Sequence, residues 1–310
     1  MYNSKIKNRY IEYKEATIVI SDNHLSRLFT KTYPFELEKN KDVCNFSAKE
    51  IENMYKTWNV SSLESLFVYN SNLSLYTQWC QEEGLVEDGM NHYAEFDKMS
   101  IKNLINKSLF NMRIVTREDV LNWCKSLDNP VDAFVILGMF EGIYGAKYSD
   151  FYTLTLDDIS GNILTIANEN NKRFPIRKIE ISDELVMYAN LSASILKYGW
   201  NIENNAKAVD LEDDPKRIVK KSSRKNSSDN LHKTLYGRLK KCFEYLDIKH
   251  MRPAQINESG MICFINNKSS ELGISTEEYI RTHKEDVLNQ FDYVIDSPKQ
   301  FCEKYSDFLN

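Results

Sequence analysis

Between Lys216 and Lys249 eleven basic side chains stand against three acidic ones, Asp229, Glu244 and Asp247. The cations are Lys216, Arg217, Lys220, Lys221, Arg224, Lys225, Lys233, Arg238, Lys240, Lys241 and Lys249. Cations clustered on this scale neutralise a polyanion, and in a chain of formal net charge −5 they form a local site rather than a general property. A solvated surface segment has the same composition, so the run by itself leaves both readings open. Other chemistry is thinly represented. Cys44, Cys80, Cys124, Cys242, Cys263 and Cys302 show neither a C-x-x-C pair nor a zinc spacing, and they read as reduced core residues. The five histidines form no ligand grouping. No metal and no cofactor is expected.

Elements must position this block, and they read as mostly helical. With 310 residues the chain has room for two domains, and its 10 glycines and 6 prolines are too few for a turn-rich all-β fold. No apolar run approaches the roughly 20 residues of a membrane span, and the N-terminus lacks a signal-peptide core. The chain is therefore expected in the cytoplasm, with no membrane partner. Ser47-Ala-Lys-Glu50 and Ser61-Ser-Leu-Glu64 read as capping boxes, the second opening a helix that ends near Gly84. One helix is expected over Asp97–Phe110 and another from the Thr116-Arg-Glu-Asp119 box. Asn129-Pro130 opens an apolar helix through Phe140.

Asn162–Ile166 and Lys172–Ile176 flank the polar turn Ala167–Asn171 and predict a β-hairpin, with Pro175 marking an edge. Further helices are expected at Ser182–Lys197, Asn230–Tyr245, Thr276–Phe291 and Pro298–Asn310. The last carries apolar Phe301, Tyr305, Phe308 and Leu309, which suit docking on its own domain or on a second copy. The division expected is a helical domain over residues 1–112 and a second domain over 113–310.

The order of these elements resembles the tyrosine recombinases, the phage-integrase family. Phe140-Glu-Gly-Ile-Tyr-Gly-Ala-Lys-Tyr-Ser-Asp150 and Leu154-Thr-Leu-Asp-Asp-Ile159 match that family's first box, and the hairpin follows as it does there. The segment from Ile218 to Leu246 is similar to its basic turn and helix, and Ile248-Lys-His-Met-Arg-Pro253 leads into its second box. The resemblance implies a helical core-binding domain plus a catalytic domain, together clamping duplex DNA. It also implies a reaction in which a tyrosine hydroxyl attacks a phosphate held by two arginines, helped by a hairpin lysine and a histidine box.

At those positions the chain departs from the pattern. Lys147 stands for the first arginine, keeping charge but losing the two-pronged donor. The hairpin lysine falls on Ala167, with Lys172 nearby and out of register. Ala254 and Asn257 replace the second box's histidine and arginine. His283 and Tyr293 sit near the spacing of the final histidine and nucleophile. The resemblance thus implies a degenerate catalytic domain with no catalytic residue set. The DNA-contacting set would be Lys147, Lys172, Arg173, Lys220, Lys221, Arg224, Lys225, Lys233, Arg238, Lys240 and Lys241, with Lys49, Lys56, Lys102 and Lys107 as candidates in the first domain.

Segments Lys14–Ile20 and Phe35–Phe46 are similar to integrase-like repressors of SPβ-type Bacillus prophages. What this implies is a sequence-specific repressor of lytic genes that maintains lysogeny. Its partners would be duplex operator DNA, a phage or host regulatory protein, and a second copy on DNA. Two alternatives stand beside it: a residual recombinase using Tyr293, and an interaction protein whose basic block meets an acidic partner.

Overall fold

The computed structural model describes residues 1–17, 22–167, 175–199, 208–222, 231–249 and 251–309. The chain is mostly helical and divides into two compact units, Met1–Phe110 and Asn111–Asn310.

The first unit is built from α1 (Ser4–Thr17), α2 (Asp22–Lys39), α3 (Ala48–Trp58), α4 (Leu63–Glu82) and α5 (Lys98–Lys102). At its C-terminal limit lies α6 (Lys107–Asn111). Ser47 and Glu50 close the expected capping box on α3. On α4 the cap is Ser62 rather than Ser61, which is buried. Residues 97–110 form two short helices rather than one. The backbone N–H of Asn106 leaves the helical path to donate to Val60 (2.8 Å), and its side chain restarts the chain by accepting from Leu109 N (3.0 Å).

The core of this unit holds an ion pair among its aromatics. Lys7 and Glu36 are both fully buried and bonded to each other, and Asp42 lies 3.8 Å from the Lys7 ammonium. Glu36 also accepts from Val43 N (2.8 Å) and Thr32 (2.9 Å), so its carboxylate keeps the partners that burial demands.

The second unit starts with α7 (Arg117–Ser126), capped by Thr116 and Asp119, and α8 (Pro130–Phe140), with Pro130 in its first turn. A three-stranded antiparallel sheet follows: β1 (Ile159–Ser160), β2 (Ile163–Ala167) and β3 (Ile176–Glu180), in that order. The described part of the second hairpin strand begins at Ile176, the last residue of the expected Lys172–Ile176, and Lys172–Phe174 lie outside the described residues. Arg177 and Ile179 alternate inward, pairing opposite Ile166 and Leu164, while Pro175, with no N–H to give, stands before the ladder. Residues 168–174, including most of the expected turn, lie outside the described residues.

After α9 (Asp183–Ser194), β4 (Lys197–Tyr198) pairs with β5 (Val209–Asp210), a ribbon where helix was expected to continue through Lys197. The chain goes on as α10 (Leu231–Tyr245), α11 (Pro253–Leu272), α12 (Thr276–Thr282), α13 (Lys284–Phe291) and α14 (Pro298–Lys304). His283 has φ −121° and splits the expected Thr276–Phe291 helix, with its ring lying flat on Tyr279. The last helix stops at Lys304. Beyond it Asn266 donates to the Phe308 carbonyl (2.7 Å), while Phe301 and Tyr305 are buried, so the tail docks on its own domain.

The 20-residue α11 was not expected from sequence, because its buried face uses Ser259 and Gly260 in place of a clean apolar stripe. Those small residues let α11 cross α8 in backbone contact. A Cβ on Gly260 would lie 1.6 Å from the Phe140 carbonyl oxygen. Gly260→Ala therefore forces two core helices apart. Urea unfolding of the full chain is expected to lose at least about 3 kcal/mol, in the upper range for core overpacking. A midpoint matching wild type would show that the crossing is not as tight as described.

Candidate nucleic-acid interface

The segment that carries Lys147 leaves α8 through Gly142 (φ +105°) and Gly145 (φ +61°). A Cβ at Gly142 would strike the Gln290 carbonyl at 2.1 Å, and one at Gly145 the Asp150 carboxylate at 2.4 Å. Both glycines are thus required by close approach as well as by backbone angle. Lys147 (φ 56°) and Tyr148 (φ 62°) follow in the left-handed region, which costs about 1–2 kcal/mol for each non-glycine residue. Packing offsets the strain. The Tyr148 ring is buried against Tyr144 (5.6 Å between centroids) and His232 (5.6 Å), and Tyr152 donates its hydroxyl to the Lys147 carbonyl. Burial pushes the Tyr148 hydroxyl up to about 12. The outcome is an exposed Lys147 beside the first turn of α10.

This segment is held from below by Arg177, which is 4% exposed. Its guanidinium donates to Asp150 (2.5 Å), the Gly142 carbonyl (2.8 Å), the Gln290 carbonyl (2.7 Å) and the Asn289 carbonyl (3.2 Å). The free edge of β3 is also closed by α13. Asn289 donates to Lys178 O (2.8 Å), and the Gln290 amide both donates to Glu180 O (2.8 Å) and accepts from Glu180 N (3.0 Å). The Lys147 segment, the hairpin and the stretch leading to Tyr293 therefore meet at one buried charge.

The basic block does not lie on one face. Lys220 is only 2% exposed, and its ammonium donates to the Ile195 carbonyl (3.0 Å), so it is not an outward phosphate contact in this structure. Lys221 is half-buried. Arg238 is half-buried too, with its guanidinium 3.8 Å from the centre of the Tyr198 ring. Lys233, Lys240 and Lys241 are exposed on α10. Lys240 has Glu244 at 3.6 Å, an exposed pair of small energetic value. Lys172, Arg173, Arg224 and Lys225 lie outside the described residues. In the first unit, Lys49 and Lys56 share Glu52 (3.2 and 2.5 Å), while Lys107 is exposed and Lys102 half-buried.

One residue on α10 escaped the sequence reading. Gly237 sits in the exposed middle of the helix, and a Cβ there would meet nothing within 4 Å. Glycine at such a place costs about 1 kcal/mol against alanine, and no packing among the described residues requires it. Among Lys233, Lys240 and Lys241 it leaves the backbone open to close approach by a partner. The readable signal was a lone glycine inside an otherwise regular helix.

The positions that the family resemblance set against catalytic residues lie apart in the fold. Ala167 ends β2 and is exposed, as is Ala254 in the first turn of α11. Asn257 is half-buried and donates to the Met139 carbonyl (2.9 Å) at the end of α8. His283 stacks on Tyr279 (4.9 Å, 6°) and lines a cleft of about 460 Å³ with Lys178, Lys268 and Phe264. Tyr293 follows α13 and is 50% exposed, so its ring is available to solvent. Among the described residues no cluster of three or more His, Cys, Asp or Glu could hold a metal. No helix among them is long and apolar enough to cross a membrane.

Comparison with known proteins finds a matching family and several similar chains. Residues 114–310 match the MrpR C-terminal catalytic domain, and residues 1–82 match the MrpR N-terminal core-binding domain. The chain is 22% identical over 320 residues to the SPbeta prophage-derived uncharacterized protein YopR of Bacillus subtilis (strain 168), covering 100% of this chain and 94% of that one. Solved structures similar to it include the lambda integrase (residues 75–356) bound to DNA, at 12% identity and a TM-score of 0.42, covering 95% of this chain and 99% of that one. XerA recombinase is similar at 11% identity and a TM-score of 0.41, covering 98% of each chain.

Behind α10 a buried carboxyl offers a pH-dependent readout of the domain. Burial raises Asp132 from the usual carboxylate range to about 6, opposed by the charge of Arg238 and by hydrogen bonds from Tyr198 and Asn129. A carboxyl raised in the folded state stabilises the fold below its unfolded value, and that contribution is lost as pH climbs through the folded value. Asp132→Asn carries no such titration. From pH 4 to 6 the melting temperature of wild type is expected to fall relative to this variant. Parallel curves across that window would refute the assignment.

Proposed function

This chain belongs to the MrpR family, and we propose that it is a sequence-specific duplex-DNA-binding repressor that keeps a prophage dormant without cutting DNA. The observation that carries this reading is the exposed face of α10. Lys233, Lys240 and Lys241 surround a glycine with open space above it, and Lys147 is held beside the same helix by a strained segment. Such a face offers cations to phosphates at close range, and phosphate contacts supply much of duplex affinity. The prophage origin named for its Bacillus relative suits a regulator of phage genes working in the cytoplasm of a bacterial host, at the nucleoid. Partners of this reading are operator duplexes, a phage or host regulatory protein, and a second copy on DNA.

The non-enzymatic half of the proposal rests on the replaced positions. Ala167 has no proton to give a leaving oxygen, and Ala254 has no imidazole. The Asn257 amide is engaged with Met139. Charges that stabilise a phosphoryl transition state act as a unit, so Lys147 alone would leave an attacking hydroxyl without its cradle. A residual strand-cutting activity is the second reading, favoured by the half-exposed ring of Tyr293.

Two measurements test these statements. Lys240→Ala with Lys241→Ala is expected to weaken binding to all duplexes and to reduce the slope of log affinity on log salt by about 0.9 for each phosphate no longer neutralised. An unchanged slope and affinity in a gel-shift titration would remove α10 from the DNA face. Tyr293→Phe keeps the ring and deletes the one atom that cleavage needs. It is expected to repress a reporter as wild type does, with no covalent DNA adduct in either protein. An adduct that disappears in the variant would establish the enzyme instead.

A further inference from the structure

Arg238 belongs to the basic block by sequence, yet it does not stand with the exposed lysines of α10. Its guanidinium lies 3.8 Å from the centre of the Tyr198 ring in β4. Tyr198 in turn gives its hydroxyl to the Asp132 carboxyl of α8 (3.1 Å to Oδ2, 3.4 Å to Oδ1). Tyr198 and Asp132 are both buried. A planar cation on a ring whose hydroxyl faces a carboxyl is favourable at both contacts, and neither group is well placed to be given up to solvent. The apolar stripe Leu235, Leu239, Cys242 and Phe243 seats α10 on the core, and this stack fastens its flank.

We infer that Arg238 is a positioning residue for the DNA face, not a phosphate contact: the Arg238–Tyr198–Asp132 stack fixes the rotation at which α10 presents Lys233, Lys240 and Lys241. This rests on the reading of α10 as the DNA face. Arginine suits the role because its flat guanidinium covers the ring, whereas an ammonium would stay hydrated. Two features separate a strut from a phosphate ligand. A strut changes affinity without changing the number of counterions released. It is also matched by residues that DNA cannot reach.

The experiment measures duplex affinity against salt for wild type, Arg238→Gln, Arg238→Lys, Tyr198→Leu and the Arg238→Gln/Tyr198→Leu double variant, each shown to be folded by circular dichroism. Arg238→Gln is expected to weaken binding roughly fivefold, the scale of one cation–ring interaction, with the salt slope unchanged. Tyr198→Leu should weaken it to a similar extent from a buried position, the double variant no further, and Arg238→Lys should recover part. A slope reduced by about 0.9 in Arg238→Gln, with Tyr198→Leu binding as wild type, would make Arg238 a phosphate contact and overturn the inference. If wild type binds no duplex, the function proposed above fails while the stack can still be judged. Thermal unfolding of wild type, Arg238→Gln, Tyr198→Leu and the double variant should then show the two substitutions to be non-additive, and strict additivity would refute the stack.

Discussion

A guanidinium can be buried only where its N–H groups find acceptors, and Arg177 meets that demand by drawing distant segments to one point. Its acceptors come from the exit of α8 (Gly142), the end of the strained segment (Asp150) and the last turn of α13 (Asn289 and Gln290). Main-chain carbonyls supply three of the four, so the constraint falls on backbone path as much as on side-chain identity. It accounts for Gly142, where any Cβ would collide with the Gln290 carbonyl. It also accounts for an edge strand that stays paired through side-chain amides rather than a fourth strand. Removing one partner of such a buried pair typically costs about 3–5 kcal/mol, and here the cost would spread over three elements at once.

The same hub sets the path of the Lys147 segment independently of the side chain at position 147. Gly142 and Asp150 flank Lys147, Gln290 comes from α13, and none of them touches the Lys147 side chain in the bonds that hold Arg177. Ala167, Ala254 and Asn257 lie outside the hub. The hub thus supports a left-handed turn that holds one exposed cation, Lys147, beside the first turn of α10.

Electrostatics in the second domain separates into two layers. The outer layer includes Lys147, Lys233, Lys240 and Lys241, exposed and screened by salt. The inner layer is Lys220 on the Ile195 carbonyl, Arg177 in its carbonyl cage, and Arg238 on Tyr198. Residues of the same type therefore do opposite work. Outer cations are available to a polyanion because they give up chiefly hydration, and in the case of Lys240 an exposed pair with Glu244 of small energetic value. Inner cations have already exchanged hydration for protein partners.

Much of the local structure was legible in the sequence because it depends on neighbours. The boxes at Ser47 and Thr116 and the proline start at Pro130 are set by hydrogen bonds within four residues, and they stand where the pattern put them. The mostly helical character and the place of the sheet between α8 and α9 could be read from composition and local pattern alone. Other features required contacts between residues far apart in the chain. The crossing that makes a helix of Pro253–Leu272 depends on Gly260 meeting Phe140, and the register of β3 on Arg177 reaching Gln290. The break at His283 goes with its ring on Tyr279, where no local breaker residue stands. A count of lysines and arginines cannot tell Lys220 from Lys240. Sequence determined how much positive charge the domain carries. Only tertiary structure decided which of it faces water, because burial is set by what packs above a residue and not by what precedes it.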